Sequence, residues 1–332
     1  MESSIVKCNY KASRVDIILA TYNGAKYLAD QLESILMQTH RNIKVIIRDD
    51  GSTDGTQEII NDYSVRYPDL ILSITDDTGN VGVIENFNML LSRTESDYIM
   101  FSDQDDIWRC NKIELTLEAM RRAECGNQGK LLPALVFTDL IVTDENLAIV
   151  AQSFWRYQHI NPDLNSFNRL LMQNVVTGCT VMINRRLFDL AYPVPNEAIM
   201  HDWWFAMVAS VFGVISPCKD KTIYYRQHGT NVAGASRYDV KYIWGKAFEI
   251  MSRRQLQKNH QQANVFLRRY ANVLPEQSLL MVESFISLAS CVKLSSLHSV
   301  FKYRFYNHGI ARNVGMIVVY FICYGRRICR ST

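Results

Sequence analysis

The chain has 332 residues, 48% hydrophobic and 21% charged, with 7 prolines and 15 glycines; this excludes a disordered or fibrous chain and calls for a large domain with an appendage. The formal charge of +3 averages two unlike parts: residues 1–235 hold 21 Lys/Arg and 29 Asp/Glu, a net of −8, and residues 236–332 hold 15 and 4, a net of +11. The eight cysteines form no C-x-x-C pair, and Met1 to Arg14 is polar and mixed in charge, so free thiols in a reducing cytoplasm and no signal peptide are expected.

Strand and helix patterns alternate from the start. Val15 to Ala20 reads as a buried strand, and Ala25 to Met37 carries a helical apolar stripe at Tyr27, Leu28, Leu32, Ile35 and Leu36. The pattern repeats as strand Lys44–Arg48 and helix Thr56–Tyr67, strand Leu70–Ile74 and helix Val81–Leu91, strand Tyr98–Phe101 and helix Asn111–Arg122. Four such repeats predict an α/β fold, a mainly parallel sheet with helices on both faces. Further strands are expected at Ala134–Phe137 and Thr180–Ile183, a helix at Asp202–Phe212, and a short terminal pair at Val214–Ser216 and Thr222–Tyr225. Beyond a boundary near 235 the chain is basic and helix-forming, without strand signal until the apolar stretch 314–323. That run, Val314 to Tyr324 at its longest, is about half of the roughly 20 residues a membrane span needs.

In such sheets ligands lie beyond the carboxyl ends of the strands. The segments there are Thr21-Tyr-Asn-Gly24, Asp49-Asp-Gly-Ser-Thr-Asp54 and Ser102-Asp-Gln-Asp-Asp-Ile-Trp108. Each alone is ordinary turn chemistry, but three at one sheet edge point to a site. Asp103, Asp105 and Asp106 repel one another unless a cation compensates them; hard oxygen donors so spaced suit Mg²⁺ or Mn²⁺ together with substrate phosphates, although one Asp could cap the following helix. Asp202, in His201-Asp-Trp-Trp204, is either a helix cap or a desolvated general base flanked by Trp203 and Trp204 as walls for an acceptor. His228, in a Gly-flanked loop after the last strand, is a candidate metal or phosphate ligand.

Together these motifs resemble the family 2 glycosyltransferases of GT-A fold, and more narrowly the bacterial enzymes of O-antigen and capsular polysaccharide synthesis. The resemblance runs from about Val15 to about Asn231 and is carried by Ala20-Thr-Tyr-Asn-Gly24, Asp49-Asp-Gly-Ser-Thr-Asp54, Asn80-Val-Gly82, Phe101-Ser-Asp-Gln-Asp-Asp-Ile-Trp108, Thr177-Gly-Cys179 and His201-Asp-Trp-Trp204. It implies a nucleotide-sugar half (about 15–110) and an acceptor half (about 111–235). Thr21 and Tyr22 would line the nucleotide pocket and Asp50 would contact the base. Asp103 and Asp105 would hold ribose and the divalent cation, extended by Asp106, and His228 matches a loop that closes over the diphosphate. Asp202 stands where the family places its catalytic base, although the residue before it there is commonly Glu and here is His201. The implied reaction is inverting transfer from UDP-hexose or dTDP-rhamnose to a lipid-linked saccharide.

The basic region 236–332 fits that setting. Basic residues near an anionic inner leaflet gain about 1 kcal/mol each, so 314–323 with Arg326 and Arg327 reads either as a peripheral interfacial anchor or as a segment packed on the protein. No nucleic-acid motif accompanies the charge. A non-catalytic nucleotide-sugar scaffold would lack an acidic-cluster carboxylate or Asp202, and neither is missing. A nucleotidyltransferase would show a Gly-rich basic loop after the first strand, which Thr21-Tyr-Asn-Gly24 does not.

Overall fold

Strand β1 (Val15–Thr21) forms where each face of the ribbon can be buried: Ile17 and Leu19 enter one apolar layer and Ile18 the other. The computed structural model describes residues 13–126, 130–228, 253–288, 294–308 and 313. In the first half β2 (Ile43–Asp49), β3 (Ile71–Ile74) and β4 (Tyr98–Ser102) join β1 in the order β3-β2-β1-β4, all parallel. Helices α1 (Leu28–Leu36), α2 (Thr56–Arg66) and α4 (Lys112–Glu124) bury Leu32, Ile35, Ile60, Leu117 and Met120 in one layer, and α3 (Val83–Leu91) buries Phe87 and Leu90 in the other. The expected layering is present, and all three motif loops leave the carboxyl ends of these strands.

The second half is mixed. It contains β5 (Ile107–Trp108), β6 (Ala134–Thr143), β7 (Ile149–Ala151), α5 (Phe154–Tyr157), α6 (Phe167–Leu170), β8 (Val181–Asn184), α7 (Arg185–Ala191), α8 (His201–Phe212) and β9 (Val214–Arg226). The full order is β3-β2-β1-β4-β8-β6-β9-β5, with β7 beside β6; β8 is antiparallel to β4 and β6, while β6 and β9 run parallel. Helix α8 is apolar nearly all round and is accordingly a core helix, buried from His201 to Ala209.

Two expectations change. The short terminal pair is one strand, β9, whose register against β6 shifts where exposed Lys219 and Asp220 bulge outward, so the apolar pattern breaks although the strand continues. Strand β6 also runs past Phe137, because buried Asp139 is satisfied by Ser153 Oγ, Trp155 N and Leu140 N.

The basic region is helical where described: α9 (Arg253–Tyr270), α10 (Glu276–Ser287) and α11 (Leu294–Tyr303). Leu256, Phe266, Tyr270, Val282 and Phe285 share one apolar cluster with Trp204 and Phe205 of α8, and a fully buried Phe contributes about 1.5–3 kcal/mol. Gln262 Oε1 accepts from Ile199 N at 2.8 Å, and Asn259 Nδ2 donates to Met172 O at 2.7 Å. The boundary near 235 and the run 314–323 lie outside the described residues. Among the described residues no helix is long and apolar enough to cross a membrane.

Candidate active site

The loops after β1 and β2 are laced together. Thr21 is buried and its hydroxyl donates to Asp49 Oδ1 at 2.8 Å. Asn23, at φ 48°, donates from its backbone N to Ser52 Oγ (2.7 Å) and accepts at Oδ1 from Thr53 N (2.9 Å). Gly24 N donates to Thr56 Oγ1 at 2.9 Å and Ala25 N to Asp54 Oδ2 at 3.1 Å. The Asp-Asp-Gly-Ser-Thr-Asp motif therefore acts here as scaffold for the preceding loop.

A third loop is tied in from below. The fully buried Arg48 guanidinium pairs with Asp76 at 2.8 Å and 3.0 Å and with Asp50 Oδ1 at 2.9 Å. Asp50 in turn accepts from Val81 N (2.9 Å) and Gly82 N (3.0 Å). Of the residues expected around the base, Tyr22 is half exposed, whereas Thr21 and Asp50 are buried and hold loops.

Strand β4 ends at Ser102 and delivers the acidic cluster. Ligand atoms of Asp103, Asp106 and Cys179 lie within 4.8 Å of one another. Asp105 Oδ2 meets His228 Nε2 at 2.8 Å, because β5 pairs antiparallel with β9 and brings the loop after Arg226 onto the cluster. Burial pushes Asp103 up to about 7, helped by the charges of Asp105 and Asp202. Asp106 is raised well above the usual carboxylate range by burial and by Asp105 and Asp103. Its Oδ1 accepts from Arg226 N at 3.3 Å, while among the described residues no hydrogen-bond partner meets its buried Oδ2. Hard oxygen donors, two of them held partly protonated by burial and neighbouring carboxylates and one with an oxygen unsatisfied among the described residues, fit a divalent cation of the Mn²⁺ or Mg²⁺ kind.

Asp202 lies in the first turn of α8, but Met200 is the N-cap, so capping does not account for it. Its Oδ1 accepts from Trp203 N at 2.7 Å and its Oδ2 from Asn174 Nδ2 at 3.1 Å. Burial still pushes it up to about 7. Gly178 packs beside it: a Cβ there would crowd His201 Nε2 at 3.3 Å and meet Asp202 Oδ2 at an ordinary contact distance of 3.7 Å. His201 is sandwiched by Phe87 and Phe101, at ring-centroid distances of 3.8 Å and 5.1 Å, and burial lowers it to about 3, leaving it neutral.

The expected acceptor walls are a correction. Trp203 and Trp204 are core residues, with indole N–H groups spent on Leu170 O (2.6 Å) and Ala191 O (2.9 Å). A helix apolar on all sides turns its aromatics inward. Nor does the acidic cluster cap α4, whose N-cap is Asn111.

Sequence reasoning passed over several neighbours of the site. Lys112 is fully buried, its ammonium 4.6 Å from the Trp108 ring and within electrostatic reach of Cys179 and Asp106; burial lowers it to about 8. Asn174 and Arg48 carried no pattern that marked them, and Gln104 stood unremarked inside the quoted acidic motif. Cys179 did stand in a quoted motif, which was its only signal.

Comparison with known proteins bears on the family and the fold. The profile described as "Glycosyl transferase family 2" matches residues 16–189. A dTDP-rhamnosyl transferase of Shigella flexneri is 29% identical over 238 residues, 68% of this chain and 76% of that protein. An uncharacterized glycosyltransferase of Nostoc sp. is 25% identical over 66% of each chain, and one of Rickettsia bellii is 25% identical with 37% of its length spanned. Among solved structures, S. aureus TarS in complex with UDP aligns with a TM-score of 0.54 at 19% identity, over 87% of this chain and 72% of that one. A Pyrobaculum calidifontis mannosyltransferase in complex with GDP-Man and Mn²⁺ aligns at 0.52 and 16%, over 94% and 88%. These structural likenesses establish the fold, that of the GT-A enzymes.

Proposed function

The chain belongs to glycosyl transferase family 2, and from that premise we propose that it transfers a sugar, with inversion, from a nucleoside-diphosphate donor to a saccharide acceptor. One observation carries the proposal: a cation-type carboxylate cluster and a separately desolvated carboxylate, Asp202, lie within electrostatic reach of each other at the sheet's carboxyl edge. Two acidic environments, one suited to a charged leaving group and one to a proton, are what glycosyl transfer needs.

Tyr22 flanks the base, with Thr21 and Asp50 shaping the pocket behind it. Asp103, Asp105 and Asp106, with His228, would hold Mn²⁺ or Mg²⁺, which when bound neutralises charge on the departing diphosphate. Asp202 accepts the proton of the acceptor hydroxyl as that oxygen attacks the anomeric carbon from the face opposite the diphosphate. The bond from that carbon to the diphosphate oxygen breaks, the electron pair leaves on phosphate, and the configuration inverts. Asn174 and Trp203 N fix the orientation of the Asp202 carboxylate, and its apolar surroundings keep it basic enough for the task.

dTDP-rhamnose is the first donor to test, given the Shigella flexneri relative, followed by UDP-hexoses. The net +11 of residues 236–332 supports a peripheral position on the anionic inner leaflet and a polyprenyl-diphosphate-linked acceptor, as in O-antigen or capsular polysaccharide assembly. The test is turnover by the purified chain of dTDP-rhamnose, UDP-Glc, UDP-Gal, UDP-GlcNAc and UDP-GalNAc on a lipid-diphosphate sugar, with Mn²⁺ or Mg²⁺ against EDTA. Cation-dependent consumption of one donor is expected. Nucleotide binding with every donor intact would favour a non-catalytic scaffold.

A further inference from the structure

We propose that Gln104 is a positioning residue of the donor site: from within the acidic loop it holds the backbone of Tyr22, and so sets the aromatic wall that meets the nucleobase. The inference rests on the donor reading above. Gln104 stands between Asp103 and Asp105, yet its carboxamide faces the neighbouring loop. Oε1 accepts from Tyr22 N at 2.9 Å and Nε2 donates to Tyr22 O at 3.0 Å, a two-point clamp like that of a paired strand. Tyr22 is 50% exposed, and no other described hydrogen bond holds its backbone. Its neighbour Asn23 sits at φ 48°, a conformation that persists only where surroundings enforce it.

Gly24 supplies the reciprocal half. Its φ lies outside the left-handed region, so its backbone does not demand glycine; space does. A Cβ at Gly24 would stand 2.2 Å from Gln104 Oε1 and 2.4 Å from its Cδ. Glycine at 24 and glutamine at 104 are thus one device, joining the loop that meets the base to the loop that carries the cation ligands. Because Gln104 offers nothing to the acidic cluster, its loss should fall on nucleotide recognition and leave cation binding in place.

The experiment is calorimetric titration of the full chain with UDP, dTDP and GDP in saturating Mn²⁺, and with Mn²⁺ alone. For Gln104→Met the expected result is a loss of about tenfold to thirtyfold in affinity for the preferred nucleotide, the equivalent of two net hydrogen bonds, with a narrowed pyrimidine-to-purine ratio and an unchanged Mn²⁺ isotherm. Wild-type affinity and selectivity in folded Gln104→Met overturns the proposal; so does parallel loss of nucleotide and Mn²⁺, which would make Gln104 a brace of the acidic loop only. If Gln104→Met does not fold, a double-mutant cycle decides. Gly24→Ala should weaken nucleotide binding alone and add nothing in a Gln104→Ala background, and full additivity overturns the clamp. If the wild-type chain binds none of the three nucleotides, the donor reading falls and the inference with it.

Discussion

Between β1 and α3 the polar side chains of the motif loops are spent on one another, whereas the Asp202 carboxylate, oriented by Trp203 N and Asn174 Nδ2, is governed by its burial. Between β1 and α3, Arg48, Asp49, Asp50, Asn23 and Asp54 each satisfy backbone or side-chain groups of a neighbouring loop. Helix α8 is buried from His201 to Ala209, and that burial pushes Asp202 up to about 7. The difference teaches how one sheet edge does two jobs. On the proposed reading, a satisfied polar lattice positions a large charged ligand, and desolvation tunes a single reactive group.

The sharpest way to break the first half of that comparison is Arg48→Met. It removes the cation paired with buried Asp50 and with Asp76 and should cost about 3–5 kcal/mol in a urea melt. Arg48 also holds Asp76 well below the usual carboxylate range, so this contribution is present at neutral pH and lost as pH falls below about 4. A loss under about 1 kcal/mol would mean the lattice is decoration.

The next largest effect tests whether α8 depends on the basic helices. Gln262→Leu leaves Ile199 N, just before α8, without its acceptor and should cost about 1–3 kcal/mol in the same melt. No change would mean that α9 merely rests against α8.

The smallest effect is on the pH profile. Asp202 must be ionised to take a proton, and burial raises its pKa, so kcat/KM in saturating cation should fall as pH drops below about 7, approaching tenfold per unit. A limb near about 4, an ordinary carboxylate value, would show that the working site is wet.

Much of this arrangement was legible in the sequence, for physical reasons. Val15–Thr21 and its parallel neighbours announce themselves because strands buried on both faces are continuous apolar runs, and Asp103 and Asp202 stand out as acids beside such runs. What stayed hidden depends on contacts far apart in the chain. The Ile107-Trp108 strand is two residues long and exists only because Ile223 and Tyr224 pair with it, yet it places Asp105 against His228. Arg48 looks like any charged residue at a strand end until the fold buries it. Trp203 and Trp204 misled in the opposite sense, because aromatic residues beside a catalytic-type Asp resemble sugar platforms whether they face a cleft or a core.

One comparison bears most directly on the division of labour between the halves: nucleotide affinity and sugar transfer measured side by side for wild type and Asp202→Asn. Asparagine keeps the shape and removes a carboxylate whose ionised form the fold disfavours. Nucleotide affinity and melting temperature should therefore hold or rise, while transfer drops by at least about 10²–10⁴-fold. Substantial transfer by Asp202→Asn, or loss of nucleotide binding along with activity, would contradict the assignment of the base to α8.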